Sequence, residues 1–371
     1  MKSFISKFNE NLKKGKKTLK VVYEDEIYNQ SEVKLQIEKY ASFFVSKGLK
    51  NRSRIVIISK NRPYFLFSVF GALSIGSIPV LVEESQGEDD LFYLTKDEEF
   101  VLTDRKANYP NKNVFYFEDV ERLIKKIKIS KELSSNKLLS DVESEQTVII
   151  LHSSGTTGYP KKVHYSESNI EWADKEYYRL YDMKSNDVYA YILPVNCTLG
   201  IIACGLVPML HKKEIVFMDR HDLDWAMKNI EKRKVNVLAG IPLMYKYMVR
   251  FDLKQYDFSS VNVCDSGGEI LPVSIIQKFQ AGSGVTITEG YGQTETTSLT
   301  HFLIPDKQGK LRIGSVGYPC TEVECRLINE LGNEASVGEI GELFVRGPMV
   351  MKGYDNQELN RSSFTNDGWF I

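Results

Sequence analysis

Val148-Ile149-Ile150-Leu151-His152-Ser153-Ser154-Gly155-Thr156-Thr157-Gly158-Tyr159-Pro160-Lys161-Lys162 is the stretch that decides the architecture. Its first four residues are aliphatic and read as a buried strand. They run straight into a loop dense in hydroxyls and glycines. Such a loop lets backbone N–H groups converge on an anion while the hydroxyls hydrogen-bond its oxygens. Lys161 adds a mobile positive charge. The loop is not a Walker A loop, which needs G-x-x-x-x-G-K followed by Ser or Thr: Gly158 comes too early and Pro160 precedes the lysine. A bare Ser/Thr/Gly run could be a surface loop, but a strand leading in and Pro-Lys leading out point to phosphate held at a strand end.

Working outward, the same grammar recurs. Residues 54–58 read as a strand, Pro63 fits a helix start, Gly76 ends that helix, and residues 78–82 begin another strand. This βαβ unit requires a parallel sheet with a right-handed crossover. Further strands are expected at 188–193, 214–218, 235–239, 261–264 and 285–288, with a helix at 201–210. The last three strands lead into Gly240-Ile241-Pro242, Ser266-Gly267-Gly268-Glu269 and Gly290-Tyr291-Gly292, and strand C-terminal ends are where α/β folds bind ligands. Polar residues 131–145 read as a connection. Beyond residue 310, segments 324–328 and 341–345 flank a polar stretch and predict antiparallel strands of a small β-barrel. The expected fold is α/β: two parallel-sheet subdomains with helices on both faces, over about 1–140 and 141–310, and a barrel subdomain over 311–371.

Whole-chain properties narrow the function. The 371 residues are 42% hydrophobic and 26% charged, with a net charge of −1, so no global field argues for nucleic acid. Cys197, Cys204, Cys264, Cys320 and Cys325 form no C-x-x-C pair and are odd in number, which favours a reducing compartment. Phe4, Ile5, Phe8 and Leu12 predict an amphipathic first helix without the apolar core of a signal peptide. No apolar run reaches the ~18 residues of a spanning helix. A cytoplasmic protein without membrane insertion is expected.

Three further segments carry chemistry. Glu289-Gly290-Tyr291-Gly292-Gln293-Thr294-Glu295 sets an aromatic face between glycines, then a hydroxyl and a carboxylate. Alone it could be a strand-ending turn. An aromatic ring can lie flat on a purine, and a carboxylate suits Mg²⁺ shared with phosphate. Asp265-Ser266-Gly267-Gly268-Glu269 follows a strand, and its glycines permit close backbone approach. Leu193-Pro194-Val195-Asn196-Cys197-Thr198-Leu199-Gly200 offers apolar and weakly polar groups; Cys197 and Cys264 could line a pocket or fill the core.

Together these segments resemble the superfamily of acyl-CoA synthetases, firefly luciferase and nonribosomal peptide adenylation domains. The family loop S/T-S-G-T-T-G-x-P-K-G matches at every position but the last, where Lys162 replaces glycine and either restricts loop closure or projects into solvent. The 341–348 segment and Gly353-Tyr354 look like the family's G-E-L-x-x-x-G and G-Y marker.

The resemblance implies an acid-thiol ligase using ATP, Mg²⁺ and coenzyme A. Ser153, Ser154, Gly155, Thr156, Thr157, Gly158 and Lys161 would hold the phosphates. Tyr291 would stack on adenine beside Gly292, Thr294 would contact phosphate, and Glu295 would hold Mg²⁺. Lys161, Thr294 and Glu295 are the implied catalytic residues. Gly267, Gly268 and Glu269 would border the adenine, and Asn196, Cys197, Thr198 and Gly290 the acyl group. No aspartate in 193–200 awaits a substrate ammonium, which disfavours an α-amino acid.

The partners implied are a small carboxylate, ATP and coenzyme A, or a carrier-protein phosphopantetheine thiol as alternative acceptor. A non-catalytic nucleotide-binding protein is the reading from another class. The sequence reaches Asp367-Gly368-Trp369-Phe370-Ile371 where the family continues into T-G-D. The ribose aspartate and the small C-terminal domain with its lysine thus lie outside these residues, and the 371 residues are expected to be weak in catalysis.

Overall fold

The structure, a computed structural model, describes residues 3–13, 18–110, 113–129, 144–153, 158–306 and 308–371. Along the chain the strands are β1 (Lys20–Tyr23), β2 (Glu26–Asn29), β3 (Arg54–Ser59), β4 (Ile78–Glu83), β5 (Phe100–Thr103) and β6 (Asn113–Tyr116). β7 (Thr147–Ser153), β8 (Lys161–Ser166), β9 (Val188–Tyr191), β10 (Glu214–Phe217), β11 (Val237–Gly240) and β12 (Val263–Gly267) follow. The last are β13 (Thr288–Tyr291), β14 (His301–Phe302), β15 (Tyr318–Pro319), β16 (Glu324–Ile328), β17 (Glu342–Arg346) and β18 (Gly353–Tyr354).

Two large sheets result. One has the order β18-β8-β7-β4-β3-β5-β6 and the other β15-β14-β13-β12-β11-β9-β10-β1-β2. The βαβ unit read from the sequence is present: β3 and β4 pair in parallel, Arg54 opposite Ile78, joined through the helix Pro63–Ser74. That helix is buried at Phe65 through Ser74, because it is apolar all round and packs on both sides. The largest core cluster runs from Ile55 and Leu81 of one sheet through Phe65, Leu66 and Phe70 to Tyr191 and Phe217 of the other. Smaller cores cover the opposite faces, with Leu91 and Leu94 against β3 and β4, and Phe279 and Tyr245 beneath β12. Phe4, Ile5, Phe8 and Leu12 of the first helix are buried as their spacing predicts. The sheets interleave along the chain: β1 pairs with β10 in the second sheet, while β7 and β8 belong to the first.

The antiparallel C-terminal segments form a two-stranded ribbon, β16 with β17, Glu324 opposite Arg346. Among the described residues no closed barrel forms. The neighbours that could close one are taken: β15 pairs with β14 and β18 with β8. The expected helix at 201–210 begins as a π-helix, Gly200–Leu206, and turns α-helical only at Val207–Leu210. Such wide turns are frequent at functional sites. The strands expected at 261–264 and 285–288 sit later, because the ladder pairs Asp265 with Thr288 and Gly267 with Gly290. The glycines assigned to loops therefore lie at the strand ends themselves.

Candidate active site

A cleft of about 900 Å³ opens where the two sheets meet. Ser153 at the end of β7, Gly158, and Lys161 at the start of β8 line one side. Gly267, Gly268, Gly290, Gly292, Thr294 and Glu295 line the opposite side, and Asn196, Cys197 and Thr198 a third. Segments far apart in sequence thus meet at one place. Glu269 is exposed and Tyr291 half-buried, its ring edge-on to His301 at 6.0 Å; neither lines the cleft. Ser154, Gly155, Thr156 and Thr157 lie outside the described residues.

Glu295 is buried and held from several directions. The Tyr354 hydroxyl donates to its Oε1 at 2.8 Å, and its backbone carbonyl accepts from the Met351 amide at 2.8 Å. The Lys161 ammonium lies 5.5 Å from the Tyr354 ring centroid, so one tyrosine touches both groups. Beside it, the Thr294 carbonyl accepts from the Tyr165 hydroxyl at 2.5 Å, and the Thr198 hydroxyl reaches the Thr294 Oγ1 at 3.5 Å. The chain leaves this turn through Thr297 and Ser298 at φ 49° and 82°, a left-handed conformation non-glycine residues seldom adopt. Thr297 is fixed by donating to the Met349 carbonyl at 2.7 Å. Gly292 is needed here: a Cβ would meet the Ser298 carbonyl oxygen at 2.3 Å. Strain held in place by its surroundings is typical of functional sites.

Lys162, the departure from the family glycine, does not project into solvent. Its side chain is buried and donates to Glu98 Oε1 at 2.6 Å. Asp355 lies at 4.0 Å and also takes the Arg54 guanidinium at 3.0 Å and His164 Nε2 at 2.7 Å. The His164 hydrogen bond is the main influence holding the Asp355 carboxyl well below the usual carboxylate range. The extra lysine thus ties the start of β8 to the segment leading into β5 and to the residue after β18, sharing both acids with Arg54 of β3.

Asp265 was not singled out by the motif reading. Strand alternation turns it away from Cys264, whose thiol meets the Tyr245 hydroxyl at 3.4 Å on the opposite face. Asp265 is 1% exposed and lines the cleft, with Oδ2 accepting from the Tyr181 hydroxyl at 2.9 Å. Its Oδ1 has no hydrogen-bond partner. Burial, opposed by Tyr181 and the nearby Ser266 and Gly290 amides, pushes the carboxyl up to about 7. The signal was present: Asp265 is the one charged residue in an otherwise apolar or small run, 261–268 aside from Asn262. On the phosphate side, His152 Nδ1 donates to the Leu81 carbonyl at 2.9 Å, and burial lowers the ring to about 4, so it is neutral.

Residues 8–355 match the family of AMP-binding enzymes. The chain belongs to that family. This AMP-binding enzyme is 27% identical over 380 residues to a long-chain-fatty-acid–CoA ligase of Bacillus subtilis (strain 168), covering 90% of this chain and 67% of that protein. It is 23% identical to a 2-succinylbenzoate–CoA ligase of Enterococcus faecalis, over 94% of this chain and 70% of that one. Among solved structures it resembles ATP-bound MatB from Rhodopseudomonas palustris, with a TM-score of 0.86 and 21% identity, covering 99% of this chain and 75% of that one. It resembles the N-terminal domain of FACL13 from Mycobacterium tuberculosis with a TM-score of 0.86 and 15% identity, over 100% and 95%. These structural likenesses concern the fold, which is that of the N-terminal domain of such enzymes. The chain spans about two thirds of the length of the ligases it matches in sequence.

In this AMP-binding enzyme the residues fit a shared metal better than a protein-caged one. No cluster of three or more His, Cys, Asp or Glu able to hold a metal occurs among the described residues. Glu295, a buried carboxylate next to Thr294, faces a cleft that also carries Lys161 and two threonines. That donor set suits Mg²⁺, which keeps waters and phosphate oxygens as most of its ligands. No helix among the described residues is long and apolar enough to cross a membrane.

Proposed function

We propose that this protein activates a carboxylic acid with ATP and passes the acyl group to a thiol. The observation that carries the reading is the convergence of Lys161, Thr294 and Glu295 on one cleft with Gly267, Gly268 and Gly290. The acid's carboxylate oxygen attacks the α-phosphorus, the bond to the β-phosphate oxygen breaks, and pyrophosphate leaves. The thiol sulfur of coenzyme A then attacks the acyl carbon and AMP departs. The protein's part is positioning and charge stabilisation. Lys161, with Ser153 through Gly158, balances the departing pyrophosphate; Thr294 contacts phosphate; Glu295 would hold Mg²⁺, which would supply further positive charge to the phosphates. Gly267 and Gly268 admit the nucleotide, with Tyr291, Gly292 and Glu269 on its far side. Asn196, Cys197, Thr198 and Gly290 border the acyl group.

Relatives named as CoA ligases support coenzyme A as acceptor, and the unpaired cysteines suit a cytoplasmic setting. Because the chain spans about two thirds of the length of its relatives, the 371 residues alone are expected to adenylate slowly. Pyrophosphate exchange with a panel of acids tests the reading, comparing this chain with one extended by a family C-terminal domain. The extended chain should be faster by ~10²–10³, the usual cost of a missing transition-state donor. Glu295→Ala or Lys161→Ala should weaken Mg·ATP binding and exchange. If neither variant does, the assignment is wrong; loading of a carrier-protein thiol in preference to coenzyme A would replace the acceptor.

A further inference from the structure

Desolvating a carboxylate is costly unless both oxygens are satisfied. Acids around β8 are met by cations. Glu98 takes Lys162 at 2.6 Å and Arg54 at 3.4 Å, and Asp355 takes Arg54 and His164. Asp265 is not. Tyr181 satisfies Oδ2; the Ser266 and Gly290 amides lie near the carboxyl, but Oδ1 accepts no hydrogen bond of normal geometry, although the residue is 1% exposed.

Gly290 lies beside this oxygen. A Cβ there would stand 3.5 Å from Asp265 Oδ1, 3.1 Å from Leu299 and 3.4 Å from Phe302, so glycine keeps this side of the carboxylate uncrowded, and Asp265 and Gly290 both line the cleft. Also lining the cleft are Tyr177, whose hydroxyl is engaged by donation to Ser298 Oγ at 2.9 Å, and Leu199 from the segment leading into the π-helix. The walls offer shape, and Asp265 offers the unengaged acceptor.

We infer that Asp265 is the specificity residue of the acyl pocket, selecting carboxylic acids whose far end carries a hydrogen-bond donor, a hydroxyl or an amine. The inference rests on the acid-activating reading above and names its substrate class. It also restores an acidic partner for an amine that residues 193–200 lack. A hydrocarbon tail at this position leaves a buried oxygen unpaired, whereas a donor completes it. Burial raises the carboxyl to about 7, and a bound donor would shift it toward the ionised, accepting form.

The test separates donor chemistry from activation chemistry by using acyl-adenylate mimics in which an acyl sulfamate replaces the acyl phosphate. Chain lengths from acetyl to octanoyl are each made plain, ω-hydroxylated, ω-aminated and ω-oxo, with benzoyl, para-hydroxybenzoyl, para-aminobenzoyl and para-acetylbenzoyl alongside. Affinity for the whole 371-residue chain is measured by calorimetry. The tightest ligand should be a hydroxy or amino member, exceeding its plain counterpart at least ~10-fold, the cost of leaving a buried polar group unmatched; the better of the two names the donor. Asp265→Asn keeps shape and can still accept from Tyr181, but turns its amide N–H₂ toward the pocket. It should reverse the order, penalising donor-bearing members and favouring oxo members, a change that a purely structural residue would not cause. Tyr181→Phe, a second variant, should keep the donor preference while lowering affinity. A plain or oxo member binding tightest to the unaltered protein, or Asp265→Asn shifting every member equally, overturns the inference. If no member binds, the acid-activating reading falls with it.

Discussion

The acids around β8 and the acid on β12 are treated in different ways. Around β8 cations answer the buried Glu98, through Lys162 and Arg54, and the exposed Asp355, through His164 and Arg54, while Tyr354 holds Glu295. On the β12 side Asp265 is answered on one oxygen only. The difference separates framework from recognition. Paired charges lock strands in place whether or not a ligand is present, while an unpaired atom beside a cleft gives a ligand something to complete.

The comparison breaks most visibly at Lys162. Lys162→Met strips Glu98, 5% exposed, of the lysine at 2.6 Å and leaves Arg54 at 3.4 Å as a cationic partner. Breaking a buried pair costs about 3–5 kcal/mol, so urea unfolding should show a loss of that order. Lys162→Met with Glu98→Met should recover much of it, because no uncompensated charge remains. A loss under ~1 kcal/mol from the single change would show that the pair is not framework.

A smaller effect is expected at Tyr354, where framework meets function. Tyr354→Phe keeps the ring beside Lys161 but removes the donor to Glu295. A hydrogen bond to a charged group is worth roughly 1.5–3 kcal/mol. Mg·ATP affinity should fall about tenfold in calorimetry while acyl-end preference stays unchanged. Altered preference among acyl-adenylate mimics would show that the walls are not separable.

The sequence displayed the β8 wall more plainly than the β12 wall. The strand 148–151, the βαβ unit and the Thr294-Glu295 pair were legible because periodicity and local motif encode them, and the cleft gathers them as read. Lys162 was legible as a departure, but its partners Glu98 and Asp355 lie 64 and 193 residues away in the chain, beyond local pattern. Asp265 was quoted within its Gly-Gly segment yet passed over, since its meaning depends on Tyr181 from another helix and on the open side of Gly290. Strand starts at β12 and β13 slipped because register is set by pairing between them, which neither segment reveals alone.

Glu167 sharpens the comparison from outside the cleft. It too is buried and half-satisfied: the Phe4 amide donates to Oε1, and Oε2 has no partner. Burial, opposed by that amide, pushes its carboxyl from 4.5 to about 7. An unpaired oxygen alone therefore does not make a recognition site; Glu167 packs beneath the first helix, and Asp265 faces a cleft of about 900 Å³. Glu167 should register in stability, not in binding. A folded-state value raised above the unfolded one contributes stability that is complete below about 4.5 and lost as pH rises through about 7. Glu167→Gln, a neutral isostere, should therefore gain on the unaltered protein between about pH 5 and about pH 8, by on the order of 1 kcal/mol or a few degrees in Tm. Its ranking of acyl-adenylate mimics should be unchanged. A pH-independent Tm difference would show that Glu167 does not take up its proton in the folded state, and a changed ranking would extend the recognition wall to the first helix.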